Sequence, residues 1–371
     1  DYVTLAIPSS RAQLDHIANR VMTGMHEVFP AKEDKSTDPV AVKKIERWSL
    51  RQDLLGFEFD GRAKTISLGV EKRDAILEKM GAWLRQAARS HDGVPFEEFY
   101  STMEKARHAF TAVPTGRGLL TPHNKVLALQ PPRVYLHRNK KLLSAVKDCR
   151  TFLQDSFKDP TPCKELVAAW PSFVGVKDAS IHGVGGVIFG EDAACVPTVF
   201  RLQWPEDIKA DVKPRNPKGH ITNSDSECAG LVLLWLVMED VLPLEKAAVS
   251  HVALFSDNQP TVSWVERFAA RGSLVADQLL RVLALRMRKN RVSPLTTMHI
   301  AGTRNSMTDI PSRSFGSKPK WHCKTDGQLL TLFNSTFPLP NKNCWTVYQP
   351  SNVICTRLIS ILRMKHFEMP E

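Results

Sequence analysis

No Cys-x-x-Cys pair occurs in this 371-residue chain, and its seven cysteines are odd in number. Those facts argue against a disulfide framework and a structural zinc module, and they fit a reducing compartment inside the cell, cytoplasmic or nuclear. No apolar run approaches the ~18 residues of a membrane helix. The longest, residues 229 to 238, has the length of a core helix. The N-terminus shows no signal-peptide pattern, and no internal repeat is present.

Positive charge is plentiful. Lys and Arg total 50 against 39 Asp and Glu, giving a net +11 and a pI near 9.3. Such an excess favours a polyanionic partner through counterion release. With 43% hydrophobic and 24% charged residues, the chain has the composition of a globular protein with room for two or three domains.

Residues 1 to 68 read as a strand (DYVTLAI), a helix carrying Leu14, Ile17, Val21, Met22 and Met25 at helical spacing, and a hairpin of LLGFEFD with TISLGV. Residues 69 to 130 read as helices with two apolar stripes. One is Ile76, Met80 and Trp83; the other is Phe96, Phe99, Met103, Ala106 and Phe110. Residues 131 to 169 begin with a basic stretch, expected to be a solvated tether. Residues 170 to 315 alternate strands and helices as an α/β unit with mixed strand directions. Residues 316 to 371 carry no chemical reading.

Four acids stand out in the second half. Asp178 and Asp257 end apolar strand-like runs, Glu227 lies at the start of a strongly apolar helix, and Asp309 follows the last strand. Adjacent strand ends in an open α/β sheet bring side chains into one crevice. Any one of these acids alone reads as a turn, cap or helix-dipole residue. Together they would repel unless cations intervened. Carboxylate oxygens select Mg²⁺ or Mn²⁺ over zinc. Two such ions about 3.5–4 Å apart clamp the attacking and leaving oxygens of a phosphodiester.

The motifs VKDASIHGVGG, SDSE, FSDN and HIAGTRNSMTDIPSR resemble those of the ribonuclease H domain of retroelement reverse transcriptases. The family's closing pattern ends in Ala-Asp-x-x-Ser-Arg, and Thr308 stands here for that Ala. The resemblance implies a ribonuclease H-like mixed sheet flanked by helices, with a two-ion site on Asp178, Glu227, Asp257 and Asp309. It further implies cleavage of the RNA strand of RNA–DNA hybrids. The order Asp, Glu, Asp, Asp separates it from integrase and transposase cores, which place a Glu last. Upstream, RQDLLGFEFD and KTISLGVEK resemble the end of a reverse-transcriptase palm, its primer-gripping hairpin and the start of a thumb, overall nearest to retrotransposons of the DIRS type. The family's Tyr-x-Asp-Asp motif is absent, so the chain alone is expected not to polymerise DNA.

Hybrid is recognised through its backbone and 2′-hydroxyls. Candidate contacts are Arg281, Arg286, Arg288, Lys289 and Arg291 before the last strand. A second group, Lys209, Lys213, Arg215, Lys218 and His220, precedes Glu227, and Asn258 stands beside Asp257. The expected partners are hybrid and template–primer nucleic acid, with no membrane. The alternatives are a non-catalytic nucleic-acid-binding remnant and a degenerate fragment. The presence of four mutually repelling acids favours the enzyme over the non-catalytic remnant.

Overall fold

In a computed structural model of the chain, the residues described are 10–28, 48–90, 92–166, 170–190, 196–213, 215–242, 251–270, 272–290, 295–317, 321–340 and 344–363. The expected strand DYVTLAI and the candidate contact Arg291 lie outside the described residues.

Helix α1 (Arg11–Val28) buries no residue. Strands β1 (Arg51–Leu54), β2 (Phe57–Asp60) and β3 (Thr65–Leu68) form an antiparallel meander. The run LLGFEFD is thus two strands rather than one. It breaks at Leu55 and Gly56, whose φ values of 54° and 84° are those of a tight hairpin turn with two left-handed residues. Then come α2 (Val70–Arg89), β4 (Val94–Pro95), α3 (Phe96–Ala109), α4 (Thr121–Leu129), β5 (Arg133–Val134), α5 (Lys140–Lys158) and β6 (Thr161–Pro162). Strand β6 returns to pair with β3, and β4 pairs with β5.

Ile76, Met80 and Trp83 on α2 meet Phe99, Met103 and Ala106 on α3 in one core. Each large side chain removed from water there contributes roughly 1.5–3 kcal/mol. The basic stretch leads into an amphipathic helix. Helix α5 buries Leu142, Val146, Cys149, Phe152 and Leu153 in the same core, while Lys141 and Lys147 stay exposed. Its charges occupy the outer face of an amphipathic helix.

The second unit contains β7 (Phe173–Ala179), β8 (Gly183–Gly190), β9 (Thr198–Gln203), α6 (Glu206–Asp211), α7 (Asn223–Val241), β10 (Val252–Ser256), α8 (Gln259–Arg267), α9 (Leu274–Asn290), β11 (Leu295–His299), α10 (Ser306–Arg313), α11 (Asp326–Thr336), β12 (Thr346–Tyr348) and α12 (Asn352–Leu362). Six strands form one sheet in the order β11-β10-β7-β8-β9-β12. Strands β7, β8 and β9 are antiparallel; β10 and β11 run parallel to β7, and β12 runs parallel to β9. This is a mixed α/β fold with helices on both faces of the sheet. Helix α7 is apolar all round because it is enclosed, buried from Asp225 to Met238 with residues of α9 and α12 in the same core. On the opposite face, Val187 and Val199 pack with Ile310, Phe333 and Trp345.

Described residues after 315 therefore pack as part of this unit. Strand β12 lies beside β9, and α11 contributes Leu329 and Phe333 to the second face. The two units meet along α9. Arg281 bonds Ser144 and Asp148, and the Arg288 guanidinium donates to the Asp159 carbonyl at 2.5 Å.

A candidate metal centre of converging carboxylates

The register of β7 with β10 positions the site. Val176 is paired with Phe255, so Asp178 and Asp257 emerge level at neighbouring parallel strand ends. Glu227 reaches them from the start of α7, whose N-terminus is fixed by a reciprocal cap between Thr222 and Asp225. Ligand oxygens of Asp178, Glu227 and Asp257 all lie within 4.8 Å of one another. Three of the four acids singled out in the sequence thus converge.

Asp309 is held at the edge of this group. Its carboxylate pairs with Arg313 at 2.8 Å, and Arg313 stands 4.0 Å from Asp178. Helix α10 presses directly on the sheet. A Cβ at Gly185, the cross-strand partner of Asp178, would fall 2.5 Å from the Ser312 nitrogen. That close approach lets Ser312 donate its hydroxyl proton to Asp178 Oδ2. Asn305 donates to the Lys177 carbonyl at 3.2 Å and is steadied by Thr308, whose hydroxyl lies 2.6 Å from the Asn305 amide oxygen. The glycine motif and the closing Asp-x-x-Ser-Arg motif are therefore two halves of one contact.

Electrostatics follow from burial. Asp178 is 4% exposed, and desolvation, reinforced by Glu227, pushes its carboxyl up to about 7. Burial pushes Glu227 up too, opposed by Lys177. Asp257 Oδ1 is a buried oxygen without a hydrogen-bond partner. An orphaned carboxylate oxygen among carboxylates is costly unless a cation shares it. Three oxygen donors from three rigid elements suit a hard divalent ion, and Asp178 and Asp257 are the natural holders.

No protein-family model matches the chain, and no curated protein matches it. Among solved structures it is similar to a foamy viral protease-reverse transcriptase in complex with RNA/DNA hybrid. There the TM-score is 0.31 and the identity 10%, covering 80% of this chain and 34% of that one. A foamy viral protease-reverse transcriptase in complex with dsDNA gives a TM-score of 0.23 at 9% identity, covering 68% of this chain and 45% of that one. The chain thus spans about a third of the length of the first and under half of the second. The likeness is a distant one.

The expected phosphate contacts divide. Arg286 is bound to Glu239, Arg281 to Asp148 and Arg288 to Asp159, so these arginines of α9 serve internal partners rather than an open basic face. The spacing of charges along a helix could not reveal that its basic side is the seam between two units. Lys209 is buried and pairs with Glu206. Asn258 caps α8 by accepting from the Thr261 backbone at 2.9 Å. Lys213, Arg215, Lys218, His220 and Lys289 are exposed. One cavity, about 690 Å³, includes Lys72, Tyr100, Lys105 and His108 in its lining. Another, about 490 Å³, lies between α5 and α9, and neither is lined by a site carboxylate.

Lys177 was missed by sequence reasoning. It is fully buried and ion-paired with Glu227. Strand parity held the clue. Lys177 shares a face with Phe173 and Gly175, and a Cβ at Gly175 would meet Leu234 of α7 at 2.8 Å.

Proposed function

We propose that this chain is a divalent-metal-dependent phosphodiester hydrolase of the ribonuclease H type, acting on the RNA strand of RNA–DNA hybrids and derived from a retroelement reverse transcriptase. The observation that carries the reading is the convergence of Asp178, Glu227 and Asp257, with a buried Asp257 oxygen left unpartnered. Mg²⁺ or Mn²⁺ bound there would activate a water and offset charge building on the scissile phosphate. Asp178 and Asp257 would hold that ion from neighbouring strand ends. Ser312 orients the Asp178 carboxylate through its hydroxyl. Arg313, half-exposed beside Asp309, offers a cation to the phosphate backbone at the rim. Lys213, Arg215 and Lys218 give duplex phosphates an exposed basic loop just before α7.

A second reading is a non-catalytic hybrid-binding remnant. The Lys177–Glu227 pair favours it, because it neutralises one of the three carboxylates.

Cleavage of a labelled RNA–DNA hybrid with Mg²⁺, Mn²⁺ or EDTA decides between them. Metal-dependent cutting is expected, lost in Asp257→Asn by more than about a hundredfold, since even residues that only support metal ligands cost up to that much. Equal behaviour of wild type and variant defeats the hydrolase. Hybrid bound but uncut supports the remnant. Primer extension on the same chain is expected to yield no product.

A further inference from the structure

The Lys177 side chain is 0% exposed and Glu227 is 5% exposed. Burying an ammonium without a counter-ion costs several kcal/mol, so its place in the core needs a purpose. The niche is built for it. A Cβ at Gly230, one turn along α7 from Glu227, would stand 3.2 Å from Lys177 Cδ, so glycine leaves the channel through which the side chain runs. Lys177 Nζ donates to Glu227 Oε2. Glu227 is therefore met by a donor of the protein itself, while Asp257 keeps a buried oxygen with no partner.

We infer that Lys177 is an internal counter-ion that occupies Glu227, so that the centre takes one divalent cation, on Asp178 and Asp257, instead of two. This deepens the metal-centre reading above and rests on it. Charge supports it. Of three carboxylate charges Lys177 cancels one, and a single divalent ion neutralises the remaining pair. A second ion would leave a buried positive excess. Asp309 does not supply the missing charge, because Arg313 already matches it. The fixed ammonium takes over the electrostatic part of a second ion and not its coordination. The site is thereby suited to ions that work alone between two carboxylates.

The test is Mn²⁺ binding to the full chain, followed by electron paramagnetic resonance without substrate. Wild type should hold one Mn²⁺ that Asp257→Asn abolishes. Lys177→Met combined with Glu227→Gln, which removes the whole ion pair and leaves the charge of Asp178 and Asp257 unchanged, should keep that ion at similar affinity, where removal of a true ligand would weaken it by at least about tenfold. Lys177→Met should gain a second Mn²⁺ on the released Glu227. Two ions in wild type, both lost in Asp257→Asn, overturn the inference and leave the metal-centre reading standing. A tenfold or greater loss in that double variant does the same, and decides alone if Lys177→Met by itself fails to fold. No Mn²⁺ in either wild type or Asp257→Asn removes the metal-centre reading itself.

Discussion

The two units of this chain both bury hydroxyls, and they differ in whether they also bury charge. Among the described residues, the polar groups sealed inside the first unit are hydroxyls and one imidazole: Thr102, Thr121, His123, Ser156 and Thr161. The second unit seals in Lys177, Asp178, Lys209, Asp225, Glu227 and Asp277. Both units have ample aromatic and aliphatic cores, so the second unit does not bury charge for lack of apolar material. Buried ions cost stability unless paired. Among the described residues these ions are confined to the sheet unit, and Asp178 and Glu227 belong to the candidate metal centre. Among its described residues the first unit has no buried carboxylate cluster.

The sharpest way to break this contrast is to damage each core without touching charge. Phe99→Ala in the first unit and Trp345→Ala in the second should each cost about 3–5 kcal/mol in chemical denaturation. Phe99→Ala should leave Mn²⁺ affinity unchanged. Trp345→Ala should lower it, because Trp345 packs with Ile310 of α10, the helix that carries Ser312 to Asp178. Equal effects on the metal would mean that the units are not chemically distinct.

Acid and base should separate the units next. His123 is fully buried, and desolvation lowers its imidazole to about 4. Between pH 6.5 and 4 the unfolded chain is protonated at this residue and the folded one is not. Its contribution is therefore present above 6.5 and lost as pH falls, about 3 kcal/mol in all. Asp277, on α9, runs the other way. Desolvation raises its carboxyl to about 6, against Lys125 and a hydrogen bond from Thr121 and with Asp225 adding to the rise. The unfolded chain ionises near 3.8, so stability falls as pH rises from about 4 to 6, again by about 3 kcal/mol. Asp277→Asn should remove that fall while leaving the acid-side loss, and His123→Phe should do the reverse. Thermal melts at fixed ionic strength across pH 4–7 read both. Parallel curves for wild type and the two variants would show that neither group is buried as described.

Ser312→Ala probes a smaller term. It removes the hydroxyl from Asp178 without opening a large cavity, at about 1–3 kcal/mol. Metal affinity should drop by about 10–100-fold, the range for outer partners of metal ligands. An unchanged Mn²⁺ titration would mean that α10 does not orient the site.

Much of the candidate site was legible from the sequence, for a physical reason. Strand ends, a helix start and a following turn are positions that local patterning specifies, and Asp178, Asp257 and Glu227 sit at such places. The apolar stripes of α2 and α3 were legible because spacing alone declares their inner face. Partnership across the fold was not. Strand parity puts Lys177 on the face of Phe173 and Gly175, but its partner Glu227 and the glycine that makes room for it, Gly230, lie 50 residues and more away. Strand β12 is only three residues, Thr346 to Tyr348, and gains its identity from β9. The cations of α9 looked like a nucleic-acid face because their partners Asp148, Asp159 and Glu239 lie on α5, at its C-terminal cap and on α7, far away in sequence for the first two.

That last misreading yields the finest test of the contrast between units. If α9 is a seam and the loop before α7 an open basic surface, their cations should respond differently to salt. Replacing Lys213, Arg215 and Lys218 together by Ala should weaken hybrid binding. It should also reduce the slope of log affinity against log salt by about one for each phosphate these cations neutralise. Arg281→Ala should leave that slope unchanged. It should instead lower stability by about 1 kcal/mol or a little more, since Arg281 is mostly buried against Asp148. A slope that shifts with Arg281 and ignores the loop would turn α9 back into the binding face. The charge that reads as a nucleic-acid signal in sequence would then be one in fact.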